Sequence, residues 1–158
     1  MQTLKQDYEK LAKKYNLPSY AELDEDFELL YVAPIYEISH PLSFVRRKMN
    51  DKVAWVCSML QSIVQPNPSS MISMREISFF SKEQKEECQK LLKELIIISR
   101  TSVTLDIDTN EKKDAEHIKT IFAIWNKLKP RLLVIARVFP EGWKKDSKKE
   151  SSHSNYTG

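Results

Sequence analysis

Glycine is almost missing from this chain. Of its 158 residues only two are glycine, Gly142 and Gly158, and both lie near the C-terminus. Tight hairpin turns and phosphate-cradling loops depend on glycine, because only glycine adopts positive φ angles at little cost. The first 141 residues therefore exclude a P-loop and a dinucleotide-binding fingerprint. The shortage also favours helices over sheets with tight hairpins.

Patterns of cysteine and metal ligands are equally scarce. Cys57 and Cys88 stand alone without a CxxC pair, and His40, His117 and His153 are far apart in sequence. These spacings predict neither a disulfide framework nor a zinc site, and they fit a reducing compartment. No spacing pairs a nucleophile with a base. We therefore expect no metal, no cofactor and no enzyme activity, unless the fold brings Cys57, Cys88, His40 or His117 within hydrogen-bond reach of a carboxylate.

Long hydrophobic runs are missing as well. The longest aliphatic runs, Leu95–Ile98 and Leu132–Ala136, are far shorter than the roughly 20 residues that a membrane-spanning helix needs. The N-terminal residues carry no apolar segment of the secretory type. We expect a soluble, cytoplasmic chain that does not enter a membrane.

What the chain does have is helical periodicity, with apolar residues every three or four positions. Ser19 with Glu22, and Ser81 with Gln84, have the spacing of capping boxes and predict two helix starts. Either Thr109 or Asn110 can cap a later helix. The predicted helices cover residues 3–15, a short stretch from 19, 41–64, 70–80, 81–106, 111–128 and 130–139.

These patterns predict an all-α fold, an irregular bundle of five to seven helices organised around the third and fifth. Residues 1–143 form a single helical domain in this interpretation, and the polar residues 144–158 form a disordered basic tail. Residues 27–38 fit either strands or helix. The predicted buried stripe of the third helix is Leu42, Val45, Met49, Val53, Val56, Leu60 and Ile63 or Val64. That of the fifth helix is Leu91, Leu92, Leu95, Ser99, Ser102 and Val103.

Three consecutive cations, Arg46, Arg47 and Lys48, stand out in the third helix, with Lys52 one turn later. At 100° per residue they fan outward and form no single row. They are either the solvated side of a structural helix or a phosphate-binding surface. In the second interpretation they act together with cations of the tail, namely Lys144, Lys145, Lys148 and Lys149.

Phe44, Trp55 and Met59 share one side of the same helix, away from its main stripe. A helix that is apolar on two sides is usually packed between other helices. The alternative is that these three residues bind a partner.

Residues 106–117 imitate a calcium-binding loop, with oxygen ligands at the first, third, fifth and ninth positions. Glu111 replaces the glycine of the sharp turn, and His117 replaces the bidentate glutamate. We interpret the stretch as an acidic turn that caps a helix.

The segments LPSYAELDEDFE (Leu17–Glu28), LSFVRRKMNDKV (Leu42–Val53) and IFAIWNKLKPRLL (Ile121–Leu133) resemble small, uncharacterised all-helical proteins from archaea. The similarity of pattern extends over most of residues 10–135 and leaves out the chain beyond Trp143. The resemblance implies a helical, cytosolic domain, and it implies no activity, cofactor or catalytic residue.

The sequence therefore predicts a non-enzymatic, cytosolic helical module that binds another protein. The alternative is a nucleic-acid-associated protein that contacts phosphates through the Arg46–Lys52 side of the helix and through the basic tail. Neither hypothesis predicts the partner's identity or the oligomeric state.

Overall fold

The computed structural model describes residues 4–29 and 39–153, and their regular secondary structure is six α-helices without a strand. This confirms the predicted all-α fold of five to seven helices. Residues 27–38 fit either strand or helix by sequence; of these, Phe27 ends the second helix, and 30–38 lie outside the described residues. The helices are α1 (Leu4–Tyr15), α2 (Tyr20–Phe27), α3 (Pro41–Val64), α4 (Met71–Ile77), α5 (Lys82–Ile107) and α6 (Glu111–His153).

Two helices begin at the predicted capping boxes. The Ser19 amide donates to Glu22 Oε2 at 2.7 Å, and the Glu22 amide donates back to the Ser19 hydroxyl at 3.3 Å. The same exchange joins Ser81 and Gln84 before α5, at 2.8 and 3.1 Å. Each box satisfies two amides that the first helical turn leaves without partners.

Helix α6 is longer than the sequence predicted. Asn110 caps it by accepting a hydrogen bond from the Lys113 amide at 3.0 Å. The sequence predicts that Pro130 starts or kinks a last helix and that Pro140 with Gly142 closes it, but both prolines lie inside one continuous helix. A proline removes one amide donor and strains the preceding turn. Burial of apolar residues on both sides of Pro130 offsets that penalty, and the residues are Leu128, Leu132 and Ile135.

The segment 144–158, which the sequence predicts as a disordered tail, is helical in its described part. Helix α6 continues through residues 144–153, and 154–158 lie outside the described residues. An ion pair gives a physical reason: Arg75 Nε donates to Asp146 Oδ2 at 2.8 Å, and Arg75 Nη2 donates to Asp146 Oδ1. A bidentate pair of this kind holds one turn of the C-terminal segment against α4.

The chain forms two compact units, so α3, α5 and α6 each supply residues to both. Unit 1 comprises Met1–Val56 and Glu94–Lys127, and unit 2 comprises Cys57–Lys93 and Leu128–Gly158. The expected single domain over 1–143 stays a prediction. Within the described residues, no helix is long and apolar enough to cross a membrane.

Unit 1 buries the predicted stripe of α3 as far as Val56, together with aromatic residues of α1, α2 and α6. The Tyr8 ring meets Tyr20 edge-on with centroids 5.9 Å apart, and the Tyr8 hydroxyl donates to the Pro18 carbonyl oxygen at 2.8 Å. Phe27 packs against Trp125 at 5.3 Å. The other buried apolar residues are Ala12, Leu23, Leu29, Leu42, Val45, Met49, Val53, Val56, Leu95, Ile98, Leu105, Ala115, Ile118 and Ile121.

Unit 2 packs α4 and the turn after it against the C-terminal part of α6. The Phe79 ring meets Trp143 edge-on at 5.4 Å, and Phe80 meets Phe139 at 5.1 Å. A Cβ atom at Gly142 would overlap the Phe79 ring, so this position requires glycine for the close approach. The other buried apolar residues are Cys57, Leu60, Ile63, Cys88, Leu91, Leu128, Leu132 and Ile135.

Candidate functional site

The first of the three consecutive cations, Arg46, is buried inside unit 1. Its Nε donates to Asp114 Oδ1 at 2.7 Å, its Nη1 to the Ser102 hydroxyl at 2.6 Å and its Nη2 to Asp106 Oδ1 at 2.5 Å. The Arg46 side chain is fully buried, and that of Asp114 is 1% exposed. The expectation that Arg46 contacts nucleic-acid phosphates is wrong, because its guanidinium is out of solvent and already bonded within the core.

Two more side chains complete this polar cluster. The Ser43 hydroxyl donates to Asp114 Oδ2 at 2.5 Å, and Arg47 Nε donates to Asp106 Oδ1 at 2.8 Å. Burial alone raises the pKa of Asp106, but hydrogen bonds from Arg46 and Arg47 outweigh it and hold that pKa below its usual range. The buried cluster comprises Ser43, Arg46, Ser102 and Asp114, with Asp106 and Arg47 at its edge, and it joins α3, α5 and α6 of unit 1.

His117 lies in the same unit, and its ring is only partly hydrogen-bonded. Its ring bonds to the backbone of Ile98, and its Nε2 is buried without a hydrogen-bond partner in the described part of the chain. Burial, followed by the positive charge of Arg46, lowers the pKa of His117 below its ordinary value. The ring is therefore held neutral in the folded protein at neutral pH.

The buried cluster also explains the resemblance to a calcium loop. Two of the oxygen-bearing residues in that stretch, Asp106 and Asp114, bind the guanidinium of Arg46. Within residues 4–29 and 39–153, no three acidic, histidine or cysteine side chains are grouped as metal ligands. The interpretation as a helix-capping turn agrees with the cap at Asn110.

The other predicted cations of α3 form surface ion pairs. Besides the contact of Arg47 with Asp106, Lys48 Nζ lies 3.4 Å from Asp51 Oδ2 and Lys52 Nζ lies 4.0 Å from Glu28 Oε1. Such exposed pairs are typical of the solvated side of a helix. Phosphate binding by Arg47, Lys48 and Lys52 stays a prediction.

The predicted aromatic face is only partly available to a partner. Trp55 is 63% exposed, whereas Phe44 and Met59 are half-buried, and Met59 belongs to unit 2. The Lys48 ammonium lies 6.0 Å from the centre of the Phe44 ring, a cation–π distance. Trp55 is thus the one member of the predicted set that presents most of its side chain to solvent.

A second apolar surface, which the sequence did not single out, lies on α5 in unit 1. Ile96, Ile97, Val103 and Ile107 are 37, 67, 43 and 86% exposed. All four lie within about 60° of Arg100 around the helix axis, over about 16 Å of helix. We call this group, with Arg100 at its centre, the apolar strip. The predicted burial of Val103 is wrong, because its side chain lies on the edge of the strip and not in the core.

The opposite face of α5 is buried, which makes this helix apolar on two sides. Leu95, Ile98 and Leu105 lie in the core, accompanied by Ser99 and Ser102 of the predicted stripe. One packed face is all that a structural helix in this unit requires. The aliphatic residues of the strip therefore lack a structural role within unit 1, and large exposed apolar groups commonly mark binding surfaces.

The four predicted lysines of the C-terminal segment lie on helix α6 of unit 2. Lys144 and Lys148, and likewise Lys145 and Lys149, are one turn apart, and all four are exposed. The helix therefore arranges them as two short rows, which a disordered tail would not do.

A comparison with known proteins found no matching family, no matching curated protein and no matching solved structure. The resemblance to helical archaeal proteins stays a prediction, as does the cytosolic location.

Proposed function

We propose that the protein is a helical interaction module that binds another protein through the apolar strip of α5. The observation that carries this proposal is the exposure of four large aliphatic side chains on one face of a helix whose opposite face is already buried. Solvent exposure of such residues is unfavourable, and a partner that covers them gains the corresponding transfer free energy.

The size of the strip sets the expected strength of binding. The exposed fractions of its four aliphatic residues together equal a little over two fully exposed side chains. At about 1.5–3 kcal/mol for each side chain, covering them contributes roughly 3–7 kcal/mol. Association itself costs at least about 4 kcal/mol in lost freedom of motion. The strip is therefore the centre of an interface whose rim adds further contacts, and a transient complex is expected.

Site-specific cross-linking tests the proposal. Photoreactive benzoylphenylalanine replaces Ile97, and the labelled protein is irradiated in an extract of its native cells. Benzoylphenylalanine at Asn126, an exposed position on α6 of the same unit, is the matched control. We expect a specific adduct from position 97 that position 126 does not give.

Competition establishes whether that adduct depends on the strip. Excess unlabelled wild-type protein should suppress it, whereas the double variant Ile96→Lys/Ile107→Lys should not compete. Circular dichroism confirms that the variant keeps its helices, as expected for substitutions at exposed positions. Equal competition by wild type and variant, or the same adduct from position 126, would refute the proposal.

The second candidate function is nucleic-acid binding through α6 of unit 2. Its support is the helical arrangement of Lys144, Lys145, Lys148 and Lys149, which presents four exposed cations on one element. A protein that contacts phosphates through these lysines loses affinity steeply between about 50 and 200 mM salt.

The test compares the wild type with Lys144→Glu/Lys148→Glu, using labelled single- and double-stranded nucleic acid. Truncation after Trp143 is unsuitable, because it would also remove the partner of Arg75, Asp146. Salt-sensitive binding that the double variant abolishes would support this function. Absent or salt-insensitive binding would exclude it.

A further inference from the structure

We infer that the partner segment which covers the apolar strip is an amphipathic α-helix with a carboxylate that pairs with Arg100. This inference rests on the proposed function and specifies the chemistry of the partner.

The centre of the strip carries a positive charge, that of Arg100. Arg100 is exposed, and it forms no ion pair or side-chain hydrogen bond with any residue that the structure describes. A partner that covers the four aliphatic residues must also cover this guanidinium. An unpaired charge is strongly unfavourable once it is removed from water, so the partner must supply an opposite charge. The planar guanidinium matches a carboxylate, which it binds with two parallel hydrogen bonds.

The residue spacing of the strip indicates the shape of the partner. Ile96, Arg100, Val103 and Ile107 follow one another at intervals of four, three and four residues. This is the spacing by which one helix packs along another in a coiled coil. An extended peptide would instead bind best along an exposed sheet edge, and residues 4–29 and 39–153 contain no strand. A helix whose apolar residues follow the same spacing fits the strip.

A second copy of this chain is a poor occupant of the strip. In a symmetric dimer, the same surface of each copy faces its counterpart. The midpoint of the strip is close to Arg100, so two antiparallel strips would bring the two Arg100 residues within about 5 Å of each other along the helix axis. The strip contains no acidic residue to compensate for this repulsion. A different chain with an acidic residue avoids it.

A displayed peptide library tests the inference directly. Each peptide is a 21-residue helix with aliphatic residues at the heptad a and d positions and every residue type at one central a position. Selection on the wild-type protein should enrich aspartate and glutamate at that position. Selection on Arg100→Glu should enrich lysine and arginine instead. Arg137→Glu, which changes an exposed arginine of unit 2 by the same charge, should leave the wild-type preference unchanged.

Affinity measurements then make the preference quantitative. Fluorescence anisotropy should show that wild-type protein binds the glutamate peptide at least about tenfold more tightly than the matched lysine peptide, and that Arg100→Glu reverses the order. Equal affinity for the two peptides, or no binding of either, would overturn the inference. Sedimentation that shows a dimer which Ile97→Lys dissociates would overturn it as well, since a second copy would then be the occupant.

The two proposals fail in different ways. If the adduct at position 97 depends on the strip but the library shows no charge preference, the interaction module stands and the acidic helix is excluded. If the adduct does not depend on the strip, the proposed function fails, whatever the peptides do. An intrachain cross-link from position 97 would refute both, because the chain itself would then cover the strip.

Discussion

Replacing the buried Arg46 by alanine should destabilise the protein strongly. The substitution removes every bond that the guanidinium makes and leaves the buried carboxylate of Asp114 without a positive partner. Breaking a buried ion pair in this way typically costs about 3–5 kcal/mol. Since the free energy of unfolding of a typical domain is about 5–15 kcal/mol, the expected loss is a large fraction of the total.

Urea unfolding measures this loss from the midpoint, provided that the slope m stays constant. The neighbouring Arg47 offers a matched control, because its side chain is 54% exposed and forms a single pair with Asp106. Arg47→Ala should cost less than about 1 kcal/mol. If Arg46→Ala costs no more than Arg47→Ala, the buried cluster is not the stabilising element that the geometry indicates.

A double variant tests whether the unpaired buried charge and the lost side-chain volume together account for this cost. Arg46→Met/Asp114→Leu removes both charges and keeps comparable side-chain volume, and replacing a buried pair by apolar residues is often neutral or stabilising. We expect it to be more stable than Arg46→Ala. A double variant as unstable as the single one would show that neither the unpaired charge nor the lost volume accounts for the effect, and would assign it to the lost hydrogen bonds with Ser102 and Asp106.

Gly142→Ala should lower the free energy of unfolding, measured in urea, by about 1–3 kcal/mol, because the new Cβ would overlap the ring of Phe79. A cost below about 0.5 kcal/mol would contradict the close approach. Ser19→Ala should cost about 0.5–2 kcal/mol by the same assay, since α2 loses its capping box, and an unchanged midpoint would contradict this. His117 has a folded-state pKa below its ordinary value of about 6.5. As the pH falls through that value, the unfolded chain therefore binds more protons than the folded protein does. Stability should therefore be greater at pH 7.5 than at pH 5.5, and His117→Phe should reduce this difference, whereas an unchanged difference would refute the assignment.

The features that the sequence predicted correctly are local ones. The bounds of α3 and the starts of α2 and α5 follow from spacing and capping over a few residues, and the structure confirms them. The continuity of α6 through Pro130 was missed, because the burial that offsets the proline comes from neighbouring elements. Local propensity is a weak guide wherever tertiary packing decides the outcome.

The burial of Arg46 was missed for a related reason. Its partners Ser102 and Asp114 are 56 and 68 residues away, and spacing along one helix carries no information about them. One signal was present, however. Ser99 and Ser102 interrupt an otherwise aliphatic stripe, and small polar residues at core positions leave space and hydrogen-bonding capacity for a long polar side chain.

The buried cluster and the apolar strip are connected through the rotation of α5. This helix has aliphatic residues on both faces, so apolar burial alone does not determine which face packs into unit 1. The run Leu95–Ile98 shows the ambiguity, since two of its residues are buried and two belong to the strip. Ser102 and Asp106 bind Arg46 from the inner side of the same helix. A rotation that buried the strip would break these bonds and leave a charge without partners in the core. The polar cluster therefore favours the one orientation of α5 in which Ile97 and Ile107 remain exposed to solvent.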